Sequence, residues 1–246
     1  MKRALVIVFA VFLAIALSLI GYVKIKSKAL PTGESGPVAD ALANDMLQAI
    51  NHEAWLKTGA IRWHFAGRQQ HLWDKSRHLA RVKWDKLEVV INLSTREGVV
   101  YRDGQIIDED KEKYLEQAWA HWANDSFWLN PVSKVFDQGT SRQFIPMEEG
   151  LRGLLVSYDS GGVTPGDSYL WVVGENALPV RFEMWVSIIP IKGLAATWDN
   201  WTTLSTGVKV AQDHDLGFLE VGLTEINAAF TLEELEGETD PFGVLF

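Results

Sequence analysis

Three evenly spaced histidines are the first residues whose types could support chemistry. His64, His71 and His78 are seven residues apart, and that step would place three imidazoles on one face of a helix. The residues around them alternate between apolar and polar types, which is typical of strands. Because a step of seven along a strand reverses the face, we expect unrelated surface histidines and predict no metal site.

The triplet Asp213-His214-Asp215 is the second candidate. A carboxylate beside an imidazole can orient it as a general base or a metal ligand. Adjacent residues on a strand point to opposite sides, however, and the triplet lies between two predicted strands. A hydrolase built on this triplet, or on an unrecognised pair of carboxylates, remains an alternative hypothesis, and no catalytic residue is assigned.

Familiar catalytic motifs are missing from the sequence. The chain has no cysteine, which excludes a thiol nucleophile and a cysteine-ligated zinc or iron–sulfur site. It also lacks the G-x-S-x-G, H-E-x-x-H and G-x-x-x-x-G-K patterns of hydrolases, metalloproteases and nucleotide-binding proteins. We therefore predict a protein that is not an enzyme and has no cofactor.

A long apolar run opens the chain. Residues 4–23 contain no charge, and twenty residues at 1.5 Å each can cross a hydrocarbon layer of about 30 Å. A cleaved signal peptide is the alternative, but its apolar part is usually shorter. We expect residues 1–29 to form a retained membrane anchor. Basic residues flank the run on both sides: Lys2, Arg3, Lys24, Lys26 and Lys28.

Topology and charge limit the surroundings and the partners. The flanking charges nearly balance, but a short N-terminal tail favours a domain on the periplasmic side of a bacterial inner membrane. The first thirty residues hold five of the 23 basic residues and no acid, so 18 basic and 32 acidic residues follow. A domain this acidic repels nucleic acid, which we exclude as a partner. The acidic tail, residues 231–246, is expected to be solvated.

Two helices are predicted. Residues 30–36 form a short linker, and Pro37 then suits the first turn of a helix with apolar residues every four positions. A second helix is predicted over 108–127, with Asn130-Pro131 ending it. The dense segment 124–131 has two interpretations: a helix end at the mouth of a pocket, or a helix end packed into the core.

Alternating apolar residues indicate strands over the rest of the chain. About ten antiparallel strands are predicted, and a sheet of that length tends to curl. We therefore expect residues 37–230 to form one α+β domain, a curved half-barrel sheet covered by two or three helices. The predicted strands cover 61–65, 80–84, 87–93, 99–105, 154–158, 169–173, 181–188, 194–204, 208–212 and 218–226.

This pattern resembles the bacterial periplasmic lipoprotein carrier and receptor superfamily. The resemblance spans residues 60–226 and rests on the early strands around Trp63, Trp84 and Tyr101 and on the run YLWVVGENALPVRFEMW from Tyr169 to Trp185. It implies a curved antiparallel half-barrel that holds acyl chains. The chain departs from the superfamily in its predicted permanent anchor and in lacking the cysteine on which the receptor would be lipidated.

The resemblance implies a membrane-anchored extracytoplasmic binding module for a hydrophobic ligand, either an acyl chain or a lipoprotein. An envelope protein–protein interaction domain without a ligand is the alternative. The same apolar residues could equally form a plain core. Eight residues are predicted to line the concave face: Trp63, Phe65, Trp84, Val89, Trp171, Phe182, Met184 and Val186.

Overall fold

The computed structural model describes residues 18, 20–148, 150–160 and 166–246. Residues 20–26 are helical, whereas most of the predicted membrane anchor, residues 4–17 and 19, lies outside the described residues. Within the described part of the chain, no helix has both the length and the apolar character needed to cross a bilayer.

Four α-helices follow this N-terminal segment in the described residues. Pro37 at the first position starts α1, and Asn51 in a left-handed conformation separates α1 from α2. The predicted second helix is present, shifted by two or three residues, and ends where Asn130-Pro131 was expected to end it. The helices are α1 Pro37–Ala49, α2 His52–Lys57, α3 Lys111–Leu129 and α4 Leu232–Glu236.

Fourteen strands are present in the described residues, and every pairing between them is antiparallel. The predicted α+β class is therefore confirmed. The strands are β1 Ala60–Phe65, β2 Gln69–Asp74, β3 Leu79–Trp84, β4 Leu87–Asn92, β5 Gly98–Arg102, β6 Gln105–Ile106, β7 Thr140–Pro146, β8 Arg152–Tyr158, β9 Ser168–Val173, β10 Pro179–Trp185, β11 Leu194–Thr197, β12 Asp199–Thr203, β13 Lys209–Asp215 and β14 Glu220–Ala229.

The strands form two sheets, and the prediction of about ten strands in one sheet is wrong. The nine-stranded sheet has the order β12-β13-β14-β1-β2-β3-β4-β5-β6, and the five-stranded sheet has the order β11-β10-β9-β8-β7. The predicted strand 194–204 breaks at Trp198, which is 2% exposed and donates its backbone N–H to Val180. The chain passes there from one sheet to the other, a change that alternating hydrophobicity does not reveal.

Each sheet packs against a helix. On the nine-stranded sheet, Leu115 and Ala118 of α3 share a core with Val82 and Ile91. On the five-stranded sheet, Met46 of α1 packs in a core with buried residues of β8, β9 and β10. The helix α3 also reaches the five-stranded sheet, because Trp128 near its C-terminal end packs against that second core.

The segments expected to be a linker and a solvated tail both pack on the sheets. Glu34 forms an isolated bridge with Phe144 of β7. In the acidic tail, the Phe242 side chain is completely buried against Leu72, and Asp240 forms two hydrogen bonds with Arg77 at 2.7 and 2.9 Å. The expectation of a solvated tail is wrong because this single aromatic side chain finds an apolar recess on the outer face of the sheet.

Candidate hydrophobic binding cavity

A cavity of about 480 Å³ lies between α3 and the five-stranded sheet. One wall comes from the C-terminal half of α3 and the short segment after it. The other comes from β8, β9, β10 and the connection that follows β10. The apolar and aromatic lining residues are Trp119, Ala120, Trp122, Ala123, Phe127, Trp128, Tyr158, Tyr169, Phe182, Met184, Val186, Ile188 and Ile189.

The helical wall follows from the spacing of aromatic residues along α3. At 3.6 residues per turn, Trp122 and Phe127 lie about 60° and 80° to either side of Trp119, so the three side chains cover one broad face of the helix. Leu115 and Ala118, further toward the N-terminus, pack on the nine-stranded sheet, and Trp119 and Trp122 also touch that core with part of their surfaces. The helix thus packs on the nine-stranded sheet and also contributes aromatic side chains to the cavity.

The sheet wall follows from the two-residue period of β10. Phe182 and Met184 project to one face of the strand, and Val186 continues this alternation beyond its end. Tyr169 of β9 lies directly opposite Met184 in the ladder. These side chains form a continuous apolar surface, which the alternation in the sequence predicts.

Aromatic rings join the two walls beside the cavity. The ring centroids of Trp128 and Phe182 are 5.3 Å apart, and those of Phe127 and Tyr169 are 4.8 Å apart. Such edge and tilted contacts each contribute on the order of 1 kcal/mol beyond the area that they bury. The walls are therefore fixed by ring packing as well as by the backbone.

The tyrosines of the cavity are neutral. Burial raises the pKa of Tyr158 and of Tyr169 far above the ordinary value. The Tyr158 hydroxyl has no hydrogen-bond partner among the described residues. An unsatisfied buried hydroxyl is costly unless a bound molecule or water can accept from it. The hydroxyl therefore supplies a polar group among the aromatic and aliphatic side chains of the sheet wall.

The charged lining residues are Lys134, Asp137 and Asp167, and the first two are paired with each other. The Lys134 Nζ atom lies 3.6 Å from Asp137, and the Asp167 carboxylate accepts a hydrogen bond from the backbone N–H of Ser187. Burial lowers the pKa of His121, so its imidazole is neutral at pH 7. The site therefore does not favour a strongly charged ligand.

The eight predicted lining residues divide between this cavity and the cores. Phe182, Met184 and Val186 line the cavity, and Trp171 lies behind Phe182, with ring centroids 5.2 Å apart. The other four belong to separate cores on the nine-stranded sheet: Trp63 and Phe65 in one, Trp84 and Val89 in another. The eight residues predicted to line one concave face therefore do not form a single surface.

The histidine candidates do not converge. His71 is buried and bonded to Asp125 of α3, while His78 is exposed and contacts Ser94. His214 is 1% exposed, and its exposed neighbours Asp213 and Asp215 project away from it. Burial lowers the pKa of His214 to about 4. Among the described residues, no three histidine or carboxylate side chains are grouped to hold a metal ion.

The contribution of α3 to the cavity was not in the predicted set. The signal was present, since Trp119, Trp122, Phe127 and Trp128 fall within ten residues of sequence. Both interpretations of segment 124–131 find support: Phe127 and Trp128 line the cavity, and Trp128 also packs against the core. Periodicity alone could not tell which sheet these rings would face.

Comparison with known proteins gives little further information. No protein-family model matches the chain, and no curated protein matches it. Among solved structures, the chain is similar to a crystal structure of a DUF1329 family protein from Desulfovibrio piger. The two are 10% identical with a TM-score of 0.44, and the match covers 83% of this chain and 98% of the other.

Proposed function

We propose that this protein is a membrane-anchored extracytoplasmic binding module that holds a hydrophobic ligand in the cavity between α3 and the five-stranded sheet. The ligand class is an acyl chain, either in a lipid or on a lipoprotein. The proposed location is the periplasmic face of a bacterial inner membrane, with the apolar run of residues 4–23 as the anchor. The role is binding, without a catalysed reaction.

The single observation that carries this proposal is the apolar cavity itself. The space of about 480 Å³ is partly open to solvent, and its aromatic and aliphatic walls leave apolar surface for a ligand to cover. Sites for small molecules typically measure about 300–1,000 Å³ and combine apolar walls with a few polar groups. The cavity has this size and this composition.

The electrostatics of the lining favour an uncharged chain over an anion. Tyr158 and Tyr169 stay protonated because burial raises the pKa of each, and Lys134 is paired with Asp137. A carboxylate or phosphate placed deep in the cavity would lose its hydration without gaining a free cation. We therefore expect the apolar part of the ligand to lie inside and any charged headgroup to stay near solvent.

Native mass spectrometry of the full chain, extracted from bacterial membranes in mild detergent, tests the proposal. The expected result is a bound lipid or lipid-like mass that survives delipidating washes. Val186→Trp fills the cavity from the sheet wall and should abolish this adduct. Val180→Trp is the control, because Val180 is exposed on β10, the strand that ends just before Val186, and does not line the cavity.

Two outcomes would overturn the proposal. One is a wild-type protein that is folded, carries no adduct and takes up none on incubation with phosphatidylglycerol vesicles. The other is equal lipid retention by Val186→Trp and Val180→Trp, with both variants folded by circular dichroism. The first outcome would favour an interaction domain whose cavity has no lipid occupant.

A further inference from the structure

Ser27 and Lys28, which follow the apolar run, are hydrogen-bonded to the connection between β10 and β11. This connection, residues 186–193, is called the β10–β11 tip below. The Lys28 backbone N–H donates to the Lys192 carbonyl at 2.8 Å, and the Lys192 N–H donates to the Ser27 hydroxyl at 3.1 Å. Two hydrogen bonds therefore fix the end of the N-terminal segment on the tip.

Lys28 is held by side-chain contacts as well. Its Nζ atom lies 2.7 Å from the Glu183 carboxylate, and its carbonyl accepts a hydrogen bond from the Trp185 indole at 2.9 Å. Within the tip, the Lys192 ammonium donates to the carbonyls of Val186 and Ile189 at 2.6 and 3.1 Å. The tip and residues 27–28 thus form one ordered unit, in which Glu183 is neutralised.

Apolar and basic side chains are both exposed on this unit. In the helical segment 20–26, Ile20, Tyr22 and Ile25 are exposed, and so are Lys24 and Lys26. On the tip, the Ile188 side chain is 72% exposed. Apolar side chains beside lysines are typical of a surface at a membrane interface, where the apolar parts enter the lipid and the ammonium groups meet headgroups.

We propose that the β10–β11 tip and helical residues 20–26 form an edge of the protein that contacts the lipid bilayer, with Ile188 inserted at the interface. Two observations select a bilayer as the occupant. Residues 20–23 are the last four residues of the uncharged run 4–23 in the sequence, and Lys24, Lys26 and Lys28 follow it on an otherwise acidic protein. A protein partner would not explain the adjoining apolar run.

This arrangement places the cavity against the membrane. Ile188 and Ile189 belong both to the tip and to the cavity lining. A hydrophobic ligand would therefore pass between the bilayer and the cavity at this end without crossing water. The contact surface itself does not depend on what the cavity holds.

Site-directed spin labelling of the full chain tests the inference. The natural sequence has no cysteine, so Ile188→Cys and Ile106→Cys each provide a single labelling site. Ile106 is the matched control: it is 62% exposed and lies on β6, at the edge of the other sheet. Each labelled protein is reconstituted in vesicles of phosphatidylethanolamine and phosphatidylglycerol, and power saturation measures collisions with oxygen and with a water-soluble nickel chelate.

The expected result is a ratio of oxygen to nickel collisions several-fold higher at position 188 than at position 106. Equal ratios at the two positions would overturn the inference. Low collision rates with both reagents at position 188 would also overturn it, since they would place the label inside the protein. A lipid-contacting label in a protein that retains no ligand would contradict the proposed function and leave this inference standing.

Discussion

The imidazole Nε2 atom of His71 and the carboxylate Oδ2 atom of Asp125 lie 2.6 Å apart, and their side chains are 0% and 2% exposed. The His71 ring also stacks on Trp63 with centroids 4.4 Å apart, and the Asp125 carboxylate accepts a second hydrogen bond from Asn124. This polar contact links β2 to α3 inside an apolar core. It therefore fixes the position of the helix that forms one wall of the cavity.

Asp125→Ala should destabilise the protein by about 3 kcal/mol, because it leaves a buried imidazole without its partner. The free energy of unfolding of the full chain in detergent, from urea denaturation, measures the effect. Ser94→Ala is the control, since it removes the partner of the exposed His78 and should change stability by less than about 0.5 kcal/mol. A similar decrease in the free energy of unfolding in both variants would show that the buried His71–Asp125 pair contributes no more to stability than the exposed contact.

His214 should make the protein less stable in mild acid. Burial lowers its pKa from 6.5 to about 4 in the folded state, so between these values the unfolded chain binds a proton that the folded chain does not. Stability from this group is fully present above pH 6.5 and is lost as pH falls toward 4, by up to about 3 kcal/mol.

The variant His214→Gln isolates this contribution. Its free energy of unfolding, measured by urea denaturation at pH 7.5, 5.5 and 4.5, should fall less steeply with acid than that of the wild type. Burial also lowers the pKa values of three other histidines, His52, His78 and His121. Their effect on the pH dependence of stability is the same in the wild type and the variant, so it cancels in the comparison. Identical pH dependences would contradict the prediction.

Phe242→Ala should destabilise the protein by about 3–5 kcal/mol, the usual cost of truncating a fully buried aromatic side chain. Phe242 is 0% exposed, whereas Phe246, four residues later, is 86% exposed. Phe246→Ala is therefore a control of the same residue type in the same segment, with almost no expected effect. Thermal unfolding followed by circular dichroism distinguishes them, and an unchanged melting temperature for Phe242→Ala would refute the packing of this segment.

Gly193→Ala should loosen residues 27–28 from the β10–β11 tip. Gly193 has φ +73°, and a Cβ atom there would lie 2.8 Å from the Cβ of Lys28. Gly217 has φ +84° with no atom within 4 Å of such a Cβ, so Gly217→Ala carries the same backbone penalty of about 1–2 kcal/mol without the collision.

Hydrogen–deuterium exchange of the Lys28 amide measures the difference, because this amide donates to Lys192. Exchange should accelerate in Gly193→Ala and stay at the wild-type rate in Gly217→Ala. Equal exchange rates in the two variants would mean that the collision is relieved without moving Lys28.

The local pattern of apolar and polar residues predicted the helices and strands better than it predicted which strands pair with each other. The alternation around Phe182, Met184 and Val186 placed these side chains on one face, as the structure has them. The first two predicted strands, 61–65 and 80–84, left out β2, since Gln69–Asp74 pairs with β1 and only residues 66–68 form the turn between β1 and β2. The start of β2 has no alternating apolar pattern, because Gln69, Gln70 and His71 are all polar. The buried residue among the three is His71, which is bonded to Asp125.

The local sequence pattern could not predict which residues line the cavity together. Trp63 and Phe182 have similar apolar surroundings in the sequence, yet they belong to different sheets and different cores. What separates them is the passage through α3, which takes the chain from β6 of the nine-stranded sheet to β7 of the five-stranded sheet before it returns at Trp198. The predicted lining set mixed two sheets because the sequence marks the helix but not that the strands after it form a separate sheet.

Trp198 also limits how the cavity can change shape. It lies at the junction of the sheets, with its ring 5.2 Å from Trp171, 5.5 Å from Phe182 and 4.2 Å from His214. Separation of the two sheets at this junction would expose these rings together to water, at a cost of several kcal/mol. Because α3, one wall of the cavity, is packed on the nine-stranded sheet, this junction also limits how far the walls can separate. Chain length and thickness, rather than an induced closure, would then select among the ligands proposed for the cavity.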